Sequence, residues 1–240
     1  PLRTVQGELT RALSLLEGRD VVVHGAGRTD AGVHAEGQAA HVHLRREFQP
    51  EKLCGAINGN VGRDLRVIRA ELVPDDFHAR YSARGKTYCY RVFNERFQSP
   101  FLLRYAHHEA RPLDVEKMQS CARLFLGEHD WTAFSCAQSD VGSRVRRVTD
   151  LTVSERQSRI AQGRLIEINA SAEGFLRYMV RSIAGTLLEV GRGAREPDTV
   201  QRAIETGDRN LAGATAPAHG LTLKQVLYAG DVRVGIGEGS

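Results

Sequence analysis

The 240-residue sequence has no apolar run approaching the roughly 20 residues that a helix needs to cross a bilayer, so a membrane-spanning bundle is not the expected architecture. The first residues, Pro1-Leu2-Arg3-Thr4, carry no apolar signal-peptide core, and the expected compartment is the cytoplasm. Cysteine is sparse. Cys54, Cys89, Cys121 and Cys136 stand far apart, with no CxxC and no Cys/His pair at ligand spacing, which argues against both a zinc site and a disulfide framework. The nine histidines are scattered, and the adjacent pair His107-His108 cannot present both rings on one helical face, so no metal site is expected. Low-complexity tracts and short-period repeats are also absent.

What is present is ordinary for a folded chain: 41% hydrophobic and 26% charged residues, in a length that allows one large domain or two small ones. A formal net charge of +4 is a mild pointer to a polyanionic partner. The clustering says more than the total. Basic residues gather at Arg80, Arg84 and Lys86, at Arg144, Arg146 and Arg147, and at Arg177 and Arg181. Such clusters either converge into one groove or remain separate solvated faces.

Periodicity divides the chain into alternating helices and strands. Residues 4–17 read as a helix, with Thr4 as N-cap and Gly18 as terminator. Strands are expected at 21–24, 38–44, 65–73 and 87–93, and a short helix at 50–58. Residues 94–111 look irregular and form the candidate boundary. Beyond them the pattern predicts a helix over 114–126, paired strands over 146–156 and 164–171, a long helix over 176–190, a short one over 197–205 and a final strand over 223–232. Residues 235–240 are expected to fray. The expected class is α+β, with helices covering one face of mostly antiparallel sheet, in two halves, 1–100 and 101–240.

Three segments carry chemistry. In Gly27-Arg28-Thr29-Asp30-Ala31-Gly32-Val33-His34-Ala35, a glycine-rich loop follows the apolar Val21-Val22-Val23 and sets Asp30 two residues after Arg28 and two before Gly32. A positioned, ionised carboxylate acts as a nucleophile or an electrostatic stabiliser; the same loop is equally a plain Asx turn with a nearby arginine. In the second, residues 79–91, three tyrosines lie among basic side chains, and alternation puts Tyr88 and Tyr90 on one face. That is the composition of a base-stacking surface, or of core tyrosines with satisfied hydroxyls. In the third, residues 173–181, Arg177 and Arg181 are four apart on the long helix. Arg181 adjoins the apolar stripe of Leu176, Met179, Val180, Ile183, Leu187 and Val190, so it needs Asp30, a bound phosphate or a route to water.

These segments resemble the tRNA pseudouridine synthase A family. Besides the Asp30 loop, the resemblance runs through Pro74–Arg80, Lys86–Arg91, Phe175–Arg181, Gly185–Gly191 and Ala214–Leu221, in family order from about residue 4 to 230. It implies two ferredoxin-like halves whose sheets join across a central cleft, and conversion of uridine to pseudouridine at positions 38 to 40 of the anticodon stem-loop of tRNA. The N-glycosidic bond breaks, the uracil turns, and C5 is rejoined to the ribose, without cofactor or metal. By the same resemblance Asp30 is the nucleophile, Arg28 holds the place of the flipped-out nucleotide or pairs with Asp30, and Arg181 salt-bridges Asp30. Tyr88 stacks on the base and accepts a proton from C5, and Leu221 lines the uracil pocket. Arg80, Arg84, Lys86, Arg144, Arg146, Arg147 and Arg177 are the expected RNA-binding residues. The partners implied are tRNA and a second copy of the chain, with no membrane.

One departure stands out. Family members begin with a strand and a Tyr-Asp-Gly…Gly-Trp-Gln segment ahead of the Thr-Val-Gln helix, and here the sequence starts next to Thr4-Val5-Gln6. The first strand of the N-terminal half is therefore expected to be missing and its sheet to have an unpaired edge. A catalytically impaired RNA-binding module of the same fold is the alternative reading. A glycoside or nucleoside hydrolase is a third; it needs a second carboxylate, for which Glu36 and Glu173 are the candidates.

Overall fold

Two segments of the chain leave one compact unit and enter another. The computed structural model describes residues 3–138, 142–230 and 233–234. One unit is built from residues 1–28 and 38–83, the other from residues 29–37 and 84–240. The expected division at residue 100 thus falls inside the second unit. The reason is the strand over Ala83–Asn94: it lies in the middle of the large sheet, hydrogen-bonded on one side to Arg164–Ala172, so it is held by residues far along the chain.

The first unit contains helix α1 (Val5–Glu17), strand β1 (His24–Gly25), strand β3 (Ala40–His41) and helix α2 (Pro50–Asn60). Thr4 caps α1 by accepting the Gly7 N–H, and Gly18 closes it at φ 71°, a left-handed turn that suits glycine. Leu13, Val21, Val23 and Ile57 bury themselves with Leu9, Leu16, Val42 and Val67 around them. Regular sheet is scant: β1 and β3 pair antiparallel over two residues each, His24 opposite His41. The strand expected at 65–73 is not formed, and those at 21–24 and 38–44 shrink to these two. Apolar alternation sets which side chains turn inward, and Val21, Val23 and Val67 do so. A ladder also needs a hydrogen-bonding neighbour: 21–24 and 38–44 find one only in each other, over the two residues of β1 and β3, and among the described residues 65–73 joins no strand ladder.

The second unit holds strand β2 (His34–Ala35), β4 (Ala83–Asn94), β5 (His107–Glu109), helix α3 (Val115–Ala122), β6 (Gly127–Asp130), β7 (Val145–Gln157), β8 (Arg164–Ala172), helices α4 (Met179–Gly191) and α5 (Pro197–Thr206), β9 (Leu221–Tyr228) and β10 (Arg233–Val234). Its sheet runs β10-β9-β4-β8-β7-β6, with β2 added parallel to β9 and β5 parallel to β4. The β10–β9, β4–β8, β8–β7 and β7–β6 pairings are antiparallel, and β7 and β8 form the hairpin expected from the sequence. The expected irregular segment 94–111 contains β5, a three-residue strand too short to show a period. The fraying expected of 235–240 lies outside the described residues. The class is α+β, as the alternation of elements predicted.

Helix α4 is the core of this unit. Met179, Val180, Ile183, Leu187 and Val190 are buried as the stripe predicts, but Ala184, Gly185, Thr186 and Leu188 are buried as well. The second buried face is explained by residues 212–216, which lie against the helix. The Gly213 N–H donates to Thr186 Oγ1 at 2.8 Å, and the Ala214 N–H donates to Glu189 Oε1 at 2.9 Å. A methyl group on Gly185 would stand 1.8 Å from the carbonyl oxygen of Ala214. Gly185→Ala is therefore expected to lower stability by about 1–3 kcal/mol through overpacking, although alanine is the better helix former by about 1 kcal/mol. A thermal melt reads it, and an unchanged or raised Tm would show that the 212–216 segment yields.

Candidate active site

Asp30 opens a tight turn. Its carbonyl accepts the Val33 N–H at 3.0 Å, and Gly32 at the third position has φ 84°, the value a type II turn requires there. A side chain at Gly32 would need this strained φ and would press on Ala218 Cβ at 3.4 Å. The chain then enters β2, where His34 and Ala35 pair with Thr222 and Leu223 of β9, and the Glu36 N–H bonds the Leu223 carbonyl at 2.8 Å. The acid is thus fixed to the sheet within a few residues on its C-terminal side.

Its carboxylate meets two guanidiniums, one from just before α4 and one from its first turn. Arg181 Nη1 donates to Oδ2 at 2.9 Å, and Arg177 Nε lies 3.8 Å from Oδ1. The Arg181 side chain is 16% exposed and that of Asp30 25%, whereas Arg177 is 57% exposed, so the two cations differ in how firmly they are held. Arg181 is anchored further: its Nε donates to the Ala216 carbonyl at 2.7 Å, and its own carbonyl accepts the Ala216 N–H at 3.0 Å. Of the three fates open to Arg181 in the sequence, the geometry selects the pairing with Asp30.

Between the two arginines stands Tyr178, a residue that sequence reasoning missed. Its ring lies 4.8 Å from the Arg177 guanidinium carbon and 5.1 Å from that of Arg181, and its hydroxyl accepts from Arg177 Nη2 at 3.1 Å. Tyr178 is the non-glycine residue at positive φ, 68°, a conformation costing about 1–2 kcal/mol, and it starts α4 at Met179 rather than at Leu176 as the stripe predicts. No sequence signal marks a tyrosine for a left-handed turn; the flanking arginines four apart were the available hint.

Tyr88 sits on β4, half-buried, with its ring edge-on to Phe175 at 5.2 Å between centroids. Burial, and secondarily the negative charge of Asp30, push its phenol up to about 12, so it is neutral at physiological pH. Tyr90 on the same strand is a core residue instead, its hydroxyl donating to the Pro217 carbonyl at 3.0 Å. Leu221, at the start of β9, is buried within the large core.

The remaining expected residues divide. Arg28, foreseen beside Asp30, is exposed and makes no ion pair among the described residues; the cations on Asp30 are Arg177 and Arg181. Arg80, in the first unit, is exposed with its guanidinium over the Tyr81 ring at 5.7 Å. Arg84 is exposed at the start of β4, and Lys86 is half-buried two residues on. Arg146 bonds the carbonyls of Ser143 and Val145, while Arg147 lies 3.6 Å from Glu128. Arg144 folds back onto Ser135 Oγ and the carbonyls of Cys136 and Ala137. Glu36 is held by Lys224 and Arg91, and Glu173 is exposed; neither makes a recorded contact with Asp30, which leaves the hydrolase reading without its second acid.

The histidines are less scattered than their numbering implies. In the first unit His24, His41, His43 and His78 cluster, with ring centroids 4.5–5.7 Å apart. The Nδ1 atoms of His41 and His78 accept backbone N–H groups, from Ala79 at 3.1 Å and from Arg80 at 3.1 Å. Burial, followed by the neighbouring imidazoles, lowers His41 below its usual range. Among the described residues no group of three or more His, Cys, Asp or Glu side chains is arranged to hold a metal ion.

The coupling between Asp30 and Tyr88 is measurable. In a carbon-13 tyrosine NMR titration Tyr88 is expected to ionise near pH 12, and Asp30→Asn is expected to lower that midpoint while leaving it above the ordinary tyrosine value, because burial is the larger cause. An unchanged midpoint in Asp30→Asn would place Asp30 too far away to act on the phenol.

A family profile described as tRNA pseudouridine synthase matches residues 2–82 and 121–229. The tRNA pseudouridine synthase A of Bacillus sp. (strain KSM-64) is 40% identical over 225 residues, covering 94% of this chain and 89% of the relative. That of Streptococcus equi subsp. equi (strain 4047) is 40% identical over 227 residues, 94% of this chain and 90% of the relative. That of Allorhizobium ampelinum (strain ATCC BAA-846 / DSM 112012 / S4) is 41% identical over 231 residues, 95% and 87% of the two chains.

Proposed function

The chain belongs to the tRNA pseudouridine synthase family, and on that premise we propose that it isomerises uridine to pseudouridine at positions 38 to 40 of the anticodon stem-loop of tRNA, with Asp30 as nucleophile. The observation that carries the assignment is the asymmetry of the carboxylate. One oxygen is hydrogen-bonded to Arg181 at 2.9 Å, and the other has only the longer 3.8 Å contact with exposed Arg177. The first oxygen fixes the group's orientation; the second keeps lone pairs for the substrate.

The reaction is balanced within the uridine itself. The N1–C1′ bond breaks, the C5–C1′ bond forms, the C5 proton leaves and N1 gains a proton. A bond from Asp30 to the substrate forms and breaks along the way and returns the carboxylate unchanged. Tyr88 supports this reading as a half-buried ring beside the acid, suited to stack on the uracil of a flipped-out nucleotide. Its phenol is protonated while Asp30 is charged. Once Asp30 is covalently bound its charge is gone and the electrostatic part of that upward push is removed, so the phenol gives up its own proton more readily; that proton supplies the one N1 needs, and the oxygen so freed takes the proton that leaves C5, returning the phenol unchanged. Leu221 gives the pocket an apolar wall, and Arg28 holds the vacated place in the stem. Arg80, Arg84, Lys86, Arg144, Arg146, Arg147 and Arg177 neutralise the RNA backbone.

Tritium release from tRNA carrying C5-tritiated uridine tests the chemistry. Asp30→Ala is expected to reduce release to background with tRNA affinity within threefold of the parent. Retained release would remove Asp30 as nucleophile. Arg181→Met is expected to slow release about 100-fold, in the range found when an oriented charge partner is lost, again with affinity little changed. A parent that binds tRNA and releases nothing would be the RNA-binding module, and free uracil would mark a hydrolase.

The second partner proposed is another copy of this chain in the cytoplasm. Phe97, Phe101, Leu103 and Tyr105 are 52–74% exposed within nine residues of one another, an apolar surface of the kind that association covers. Light scattering is expected to give twice the chain mass, and Phe101→Asp with Leu103→Asp to give the single mass. A monomeric parent would refute the pairing.

A further inference from the structure

Beside Tyr178 the second unit contains a pocket of about 460 Å³. Arg144 and Arg209 line it from two distant parts of the chain, together with hydroxyls of Ser135, Ser182 and Thr215. No Asp or Glu is among the lining residues.

Among the described residues the two guanidiniums are held by neutral oxygens alone. Arg144 donates to Ser135 Oγ at 2.8 Å and to the carbonyls of Cys136 and Ala137 at 3.1 and 2.8 Å. Arg209 donates to the Gly213 carbonyl at 2.7 Å and to Thr215 Oγ1 at 3.3 Å. All of these acceptors are neutral oxygens, and among the described residues neither arginine meets a carboxylate. A guanidinium has five N–H donors, so each retains donors after these bonds. Two oriented cations with spare donors, surrounded by hydroxyls in a concave site, match an anion with several oxygens on one centre. Neutral base edges would leave both charges uncompensated.

We propose that this pocket holds a backbone phosphate of the RNA strand next to the flipped-out uridine, and so fixes where that uridine stands relative to Asp30. Tyr178 is the link. It lines the pocket, and its ring is packed against Arg177 and Arg181, which hold Asp30. Tyr178 makes these contacts from a backbone at φ 68°. This inference rests on tRNA as the substrate but not on Asp30 as nucleophile, and it is read by binding rather than by turnover.

The probe is an anticodon stem-loop hairpin with the phosphates around the target uridine replaced one at a time by neutral methylphosphonate. Affinity is measured for the parent, Arg209→Gln and Ala137→Asp. Ala137 is exposed on the pocket rim, so its substitution adds a carboxylate without touching the core and carries the test should Arg209→Gln fail to fold. Arg209→Gln is expected to weaken the unmodified hairpin about tenfold and to lower the salt slope by about 0.7–0.9, the loss of one phosphate contact. One methylphosphonate position is expected to cost the parent about tenfold and either variant less than twofold. If every position costs the variants what it costs the parent, no phosphate sits in the pocket and the proposal fails. It fails equally if inorganic phosphate, at constant ionic strength, competes with the hairpin in the parent while no single linkage is coupled to Arg209; the pocket is then a site for free anions.

Discussion

The pair formed by Asp30 and Arg181 is the contact to which the other features of the site answer. A half-buried guanidinium is stable only when its charge and its donors are met, and Arg181 meets them with one carboxylate oxygen and one backbone carbonyl. The carbonyl belongs to Ala216, so the segment 212–216 must lie against α4. That requires a residue with no side chain at Gly185, and bonds from Thr186 and Glu189 to hold the segment down. The carboxylate belongs to Asp30, so the turn at Ala31-Gly32 must deliver it and β2 must tie the turn to β9. Sheet, helix and loop therefore converge on one charge pair, and each is shaped by it.

Much of this was legible in the sequence, because some residue types have few uses. The apolar stripe of α4 predicted a buried helix, and a charged residue next to that stripe predicted a partner. Thr4 and Gly18 marked the ends of α1 through cap chemistry that depends on neighbouring residues alone. The β7–β8 hairpin was readable for the same reason: two alternating runs and the polar turn between them contain all the information needed.

Other parts were illegible because they depend on residues distant in the chain. Residues 65–73 alternate as well as any strand, yet pairing requires a neighbour, and alternation does not report one. β5 is placed by β4 rather than by its own three residues. The histidine cluster of the first unit joins positions 24, 41, 43 and 78, whose spacing obeys no period. Arg28 was close to Asp30 in sequence and for that reason seemed its natural cation; the cations came instead from Arg177 and Arg181, at the approach to and in the first turn of a helix far along the chain. Tyr178 gave no sign of its own beyond the arginines that flank it, since tyrosine has no preference for the left-handed backbone it adopts between two guanidiniums.

The hydrogen bond that orients Asp30 spans 151 residues. During synthesis the acid leaves the ribosome long before its counter-cation exists. At about 5–20 residues per second the interval is roughly 8–30 s. Throughout that time the nascent chain carries Asp30 without the guanidinium that orients it. The long separation therefore works as a delay: the ion pair is completed only after α4 and the segments that follow it have been made, so an unfinished chain holds Asp30 without its cation.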